Sequence, residues 1–219
     1  MKKYVLLLGL LIQAVSVLAQ ETSVGKSIFS VHAGPSWYLG KMIGITNNSD
    51  AYRNDLRNGI AWDANYYFLG DKYIFGSFKL APGLIYQGGR YKNTHDESSD
   101  KILMHYFAPQ LALFMVKQKY NLSLSTGVGY QHYKDKSFVY GKPRDVSMNK
   151  LAYNLSAGGE YRLSPLVGIS AKLNWIVTSS DSYSVRYHGQ KWQVESPELS
   201  GGGGCFSQLS LLFGMNLHF

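Results

Sequence analysis

The chain closes with Gln208-Leu209-Ser210-Leu211-Leu212-Phe213-Gly214-Met215-Asn216-Leu217-His218-Phe219. Apolar residues recur at every second position from Leu209 to Phe219, and only Leu212 interrupts the small or polar residues between them. A period of two is that of a β-strand. One unbroken oily face, one small polar face and a terminal Phe have few uses in a water-soluble protein. They suit the closing strand of a membrane barrel.

The opposite end carries a different signal. Lys2 and Lys3 precede an apolar stretch from Tyr4 to Ile12, and Val17-Leu18-Ala19 forms a small-residue site before Gln20. The pattern predicts a cleaved secretory signal peptide over residues 1–19 and one domain over residues 20–219. Its apolar stretch is too short to span a membrane as a helix. The formal charge of +8 drops by two, to +6, when Lys2 and Lys3 leave. Export turns that charge away from nucleic acid and towards anionic lipid headgroups or surface polysaccharide. Cys205 is the only cysteine, so the fold must stand without an internal disulfide.

Seven more segments between the two ends alternate in the same way. The oily sides are Phe29, Val31, Ala33 and Trp37; Ile60, Trp62, Ala64, Tyr66 and Phe68; Ile74, Phe78, Leu80, Leu84 and Tyr86; and Leu103, Phe107, Leu111 and Leu113. They continue with Leu122, Leu124, Thr126, Val128 and Tyr130; Leu151, Tyr153, Leu155, Ala157 and Tyr161; and Val167, Ile169, Ala171, Leu173, Trp175 and Val177. The helical spacing of i, i+3, i+4 and i+7 fits none of them as well. Three tight turns, Gly70-Asp71-Lys72, Lys117-Gln118 and Ser164-Pro165, alternate with long polar segments at about 40–59, 87–100, 134–149 and 179–203. This predicts an all-β fold: an eight-stranded antiparallel up-and-down transmembrane β-barrel with short periplasmic turns and long extracellular loops.

A soluble ligand-carrying barrel has the same strand count, and charge separates the two. The polar faces carry only Asp63, Lys79, Glu160, Arg162 and Lys172 as charged residues, too few for a surface in water. Their abundance of Gly, Ser and Ala fits the interior of a narrow barrel. The oily faces hold no charge across their centres, where one Lys would cost roughly 2–4 kcal/mol.

On these strands, turns and the Leu209–Phe219 ending, the chain resembles the small outer-membrane proteins of the OmpA-transmembrane and OmpX type, the porin-family outer-membrane barrels. The resemblance implies insertion in the cell outer membrane by the barrel-assembly machinery, with Phe219 as the assembly signal. It also implies contact with outer-membrane lipid and lipopolysaccharide. The chain stops at its final strand, so no periplasmic peptidoglycan-binding domain is expected.

The interior charges are expected to form a structural polar network. A three-residue turn at Gly70-Asp71-Lys72 would set Asp63 opposite Lys79, and Ser164-Pro165 would bring Glu160 within diagonal reach of Lys172, near Arg162. His105 and His132 become diagonal neighbours on the outward face, beside Tyr130. No nearby Ser or carboxylate completes a nucleophilic set with them. The lipid A deacylases resemble this chain in architecture, but it lacks their His-Xaa-Ser-Asn motif; Gly-Xaa-Ser-Xaa-Gly and His-Glu-Xaa-Xaa-His are absent too. Neither catalytic residues nor a cofactor or metal are expected. The long segments mix aromatic and basic residues, with Arg90, Tyr91, Lys142, Arg144, Arg186 and Trp192 as candidate surface contacts. The expected role is structural or surface-interacting, by a monomer with a plugged lumen. A narrow route for small or apolar solutes is the alternative, and a lipid A-modifying enzyme the third reading.

Overall fold

The computed structural model describes residues 26–219 except 41, 43, 48, 71, 72, 75, 96, 97, 140, 181 and 196–203. The expected signal segment, and Asp71 and Lys72 of the first turn, lie outside the described residues. Eight strands form the barrel: β1 (Ser27–Leu39), β2 (Asn58–Phe68), β3 (Phe78–His95), β4 (Ser98–Val116), β5 (Tyr120–Val139), β6 (Lys142–Arg162), β7 (Val167–Val177) and β12 (Ser207–His218). Each pairs antiparallel with the next, β7 with β12, and β12 returns to β1 through Phe29↔Leu217 and Trp37↔Leu209. The terminal strand therefore closes the barrel. Backbone bonds between Ser27 and Phe219, at 3.1 and 3.0 Å, carry that seam to the last residue.

Burial runs opposite to that of a soluble protein. Leu124, Tyr153, Phe213 and Leu151 lie half or more exposed on the outer wall, whereas Asn174, Gln87 and Ser210 are fully enclosed. A continuous apolar outer belt around a polar interior is stable only where hydrocarbon covers the belt. All eight oily faces, including that of β4, point outward as their period predicts. Leu212, the exception in the terminal strand, points into the lumen and is fully buried.

The connections depart from expectation. Two of the four long polar segments are mostly strand, since β3 and β4 continue to His95 and from Ser98, and β5 and β6 to Val139 and from Lys142. These hairpins stand above the lipid belt with reversed polarity. On β5 the outward residues change from Val128 and Tyr130 to His132, Lys134 and Lys136, while the inward ones change from Ser125 and Gln131 to the fully buried Tyr133, followed by the buried Asp135 and Ser137. Above the membrane the outer wall meets water, so the apolar residues must fill the inside.

The segment after β7 forms β8 (Ser179–Ser180), β9 (Ser182–Tyr187), β10 (Gln190–Glu195) and β11 (Gly204–Cys205). Strand β9 pairs with the top of β6 through Val146↔Val185. The first long segment holds the helix among the described residues, α1 (Asp50–Leu56), whose N-cap Ser49 accepts from the Tyr52 backbone N–H at 3.3 Å. Its buried residues, Tyr52 and Leu56, join Tyr38, Met42, Tyr91, Ile102, Met104, Tyr133, Met148 and Phe206 in one apolar cluster. The helix thus lies in the barrel mouth.

Candidate functional site

Three polar regions were candidates for chemistry: the lumen, the mouth and the outer wall above the lipid belt. In the lower lumen the interior charges pair across the barrel rather than along the expected register. Asp63 stands opposite Gln87, not Lys79, because the connection from β2 to β3 runs from residue 69 to 77 and is no three-residue turn. Lys79 remains at the periplasmic end, 4.8 Å above the Tyr73 ring. Asp63 instead forms an ion pair with Lys172 of β7, and its Oδ1 lies 2.7 Å from His32 Nδ1 of β1.

Asn65 ties the pair together, donating to Asp63 Oδ1 at 2.8 Å and accepting from Lys172 Nζ at 3.2 Å. Glu160 is not bonded to Lys172. It meets His218 Nε2 at 2.5 Å and accepts from Asn121 Nδ2 at 2.9 Å. Gly168 makes room for it, since a Cβ there would collide with Glu160 Oε1. Arg162 sits half-buried at the end of β6, apart from the network.

Elsewhere in the lumen, Asn174 donates to Gln87, Gln87 to Ser210, and Tyr67 to Gln110 and Ser125. Tyr106 donates to Asn154 and Tyr91 to Gln208. The cavity left beside His32, Lys172 and Glu160 has a volume of about 30 Å³. That is room for roughly one or two water molecules. The residues that sequence reasoning missed here are His32 and His218, both already on polar strand faces. Their partners lie on other strands, and no turn-based register could have named them.

The mouth holds a second buried cluster. Asp100 on β4 accepts from the Thr46 N–H at 2.9 Å, Thr46 Oγ1 at 2.7 Å and Tyr52 OH at 2.8 Å. Arg144 of β6 approaches Asp100 to 3.7 Å and Asp135 to 4.0 Å, and donates to the Gly44 carbonyl. Burial, reinforced by the charge of Asp100 and a hydrogen bond with it, pushes the Asp135 carboxyl up to about 8, against the pull of Arg144. Asp100 takes the donors from Thr46 and Tyr52, while Asp135 accepts from the Lys101 backbone N–H at 3.1 Å. Burial likewise pushes the Tyr52 phenol above its ordinary range. This cluster pins segment 44–56 over the barrel.

Two candidate surface contacts are thereby corrected. Tyr91 is fully buried in the mouth, its hydroxyl 2.6 Å from Ser36 Oγ, and Arg144 is committed to the clamp. Both residues lie on strand extensions where the sequence suggested open loops. Arg90, Lys142, Arg186 and Trp192 are exposed, on β3, β6, β9 and β10.

On the outer wall, His105 and His132 stand directly opposite each other rather than diagonally. Their rings stack at 6.4 Å, Tyr86 OH lies 2.8 Å from His105 Nδ1, and Asn149 Oδ1 lies 2.5 Å from His132 Nδ1. Burial and the neighbouring His132 lower the basicity of His105. Among the described residues no cluster of His, Cys, Asp and Glu has the geometry of a metal site.

No protein-family model matches the sequence, and no curated protein matches it. Solved structures do. The Neisserial surface protein A is similar over 89% of this chain and 97% of its own, at 10% identity and a TM-score of 0.53. A major outer membrane protein of Thermus thermophilus is similar over 88% and 99%, at 15% identity and a TM-score of 0.55. The outer membrane protease OmpT of Escherichia coli is similar over 88% and 95%, at 11% identity and a TM-score of 0.48. At these identities the likeness to the first two shows the fold alone, that of the outer-membrane β-barrels.

Proposed function

We propose that this chain is an outer-membrane structural and surface-interaction protein, exported on residues 1–19, with a lumen that conducts nothing. The observation that carries the reading is the filled interior: an interstrand polar network below, a cavity of about 30 Å³, and an apolar cluster with α1 seated above. Eight strands leave an interior just wide enough for side chains, and here those side chains bond one another. Phe219, at the barrel seam, is the residue offered to the assembly machinery. The working surface is then the extracellular end, where Arg90, Lys142, Arg186 and Trp192 are exposed.

Planar-bilayer recording on the refolded protein tests this directly. Silence at moderate voltage is expected, and stable unitary currents would replace the reading with a solute route. The proposed role involves no reaction, and the histidine pair of the outer wall finds its polar partners in Tyr86 and Asn149 rather than in a nucleophile or carboxylate. Mass spectrometry of lipid A from cells with and without the gene should give identical spectra. A lost acyl chain or phosphate would establish an enzyme instead.

A further inference from the structure

The register of the upper hairpins stacks like charges side by side. Lys92 of β3 faces Lys101 of β4, and Lys101 faces Lys136 of β5. The three alternate with buried neighbours, so all point outward. Two residues nearer the membrane, Arg90, Leu103 and Lys134 form the next row, and below them come Gly88, His105 and His132. The row beneath, Tyr86, Phe107 and Tyr130, is the aromatic edge of the oily belt, each more than a third exposed.

Five cations therefore share one wall, opposed by Asp145 of β6, which faces Lys136 in the register and lies 3.6 Å from Lys134. Among the described residues Arg90, Lys92, Lys101 and Lys136 form no ion pair. Like charges directly opposite across strands destabilise a sheet. A wall built this way calls for an anion to neutralise it.

The geometry points to a binding site for the phosphorylated saccharide headgroup of an outer-leaflet glycolipid, formed by Arg90, Lys92, Lys101, Lys134 and Lys136. This rests on the outer-membrane reading above and gives it a ligand. Height selects the class. Six residues separate the lysine row from the aromatic row, roughly 20 Å along a strand, and about 15 Å above the belt once a tilt of about 40° is allowed. A bare phosphodiester at the interface reaches only the lowest rows, even with lysines bending down towards it. A phosphate-bearing sugar headgroup spans them all, while its acyl chains lie against Leu111, Leu124 and Val128 on the belt below.

The test is native mass spectrometry of the refolded protein in detergent, titrated with bis-phosphorylated lipid A, enzymatically dephosphorylated lipid A, or phosphatidylglycerol. Bis-phosphorylated lipid A should bind best and the dephosphorylated form at least tenfold more weakly, with binding falling as salt rises. Replacing Lys92, Lys101 and Lys136 together by Gln should weaken binding on the order of a hundredfold, at roughly fivefold per lysine. Replacing Lys117 and Lys119 by Gln, both exposed at the opposite end of the barrel, should leave it unchanged.

Equal binding by the triple variant, or equal binding of the dephosphorylated lipid, would overturn the site. Equal binding of phosphatidylglycerol would overturn the headgroup class. The boiling-dependent shift on an SDS gel, which reports the barrel alone, distinguishes these failures from failure of the outer-membrane reading.

Discussion

The lower and upper halves of this barrel are built from the same strands with opposite polarity. Below, Leu122, Leu124 and Val128 of β5 face outward and Asn121 and Ser125 inward; above, Lys134 and Lys136 face outward and Tyr133 inward. Strand geometry is unchanged across the switch, so the surrounding medium decides which face is oily. Hydrocarbon demands apolar side chains outside, and the narrow lumen then needs paired polar ones. Water reverses both demands, and the upper interior gains an apolar cluster closed by α1, with the charged Asp100–Asp135–Arg144 clamp buried beside it.

The comparison breaks most easily in the lower half. Lys172→Met leaves Asp63 with its bonds to His32 and Asn65 but no lysine, and breaking a buried ion pair costs about 3–5 kcal/mol. Urea unfolding in lipid vesicles should show that loss across the whole barrel, and adding Asp63→Leu should recover much of it. A variant as stable as the parent would mean that the ion pair is not formed.

In the upper half, Leu56→Ala removes a fully buried side chain of α1, a change worth about 2–5 kcal/mol. Here the expected loss is local. Segment 44–56 should become protease-sensitive while the heat-modifiable gel shift stays, and a lost shift would show that the two halves fold as one unit.

A charge placed on one strand at two heights sharpens the contrast. Leu124→Lys, at mid-belt, should cost roughly 2–4 kcal/mol, whereas Phe138→Lys, on the same face above the membrane, should cost under about 0.5 kcal/mol. Equal penalties in the same urea titration would deny the polarity switch.

The smallest effect concerns pH. Folded Asp135 holds its proton up to about pH 8, whereas an unfolded carboxyl releases it near its ordinary value of 3.8. The mouth is therefore favoured most below about pH 4 and loses that contribution as pH rises to about 8. Protease protection of segment 44–56 should weaken over that window, and Asp135→Asn should flatten the dependence. An unchanged slope in the variant would place the titrating group elsewhere.

The period of two made eight strands, their outward faces and the closing role of Leu209–Phe219 legible in the sequence. It failed where polarity reversed. In Gln131-His132-Tyr133-Lys134-Asp135-Lys136 the alternation continues, but with the apolar residue on the other face, and from Lys134 onward the charged residues make it read as a loop. The lumen pairs were hidden for another reason. Asp63 meets Lys172, and Glu160 meets His218, across a closed cylinder, so neighbouring-strand registers could not name them. Asp100, Asp135 and Arg144 of the mouth clamp lie in segments as polar as a solvated loop, so their pattern carries no sign that two carboxylates are buried.

The most direct measurement is site-directed spin labelling along β5, one cysteine at a time from residue 122 to 138 in a Cys205→Ser background, with the protein in lipid bilayers. Oxygen and a water-soluble nickel complex report lipid and water contact separately. Even positions from 122 to 130 should be open to oxygen and closed to nickel, even positions from 132 to 138 open to nickel, and odd positions shielded from both. Nickel access at 124 or 128, or free access at odd positions, would contradict a lipid-belted, filled barrel.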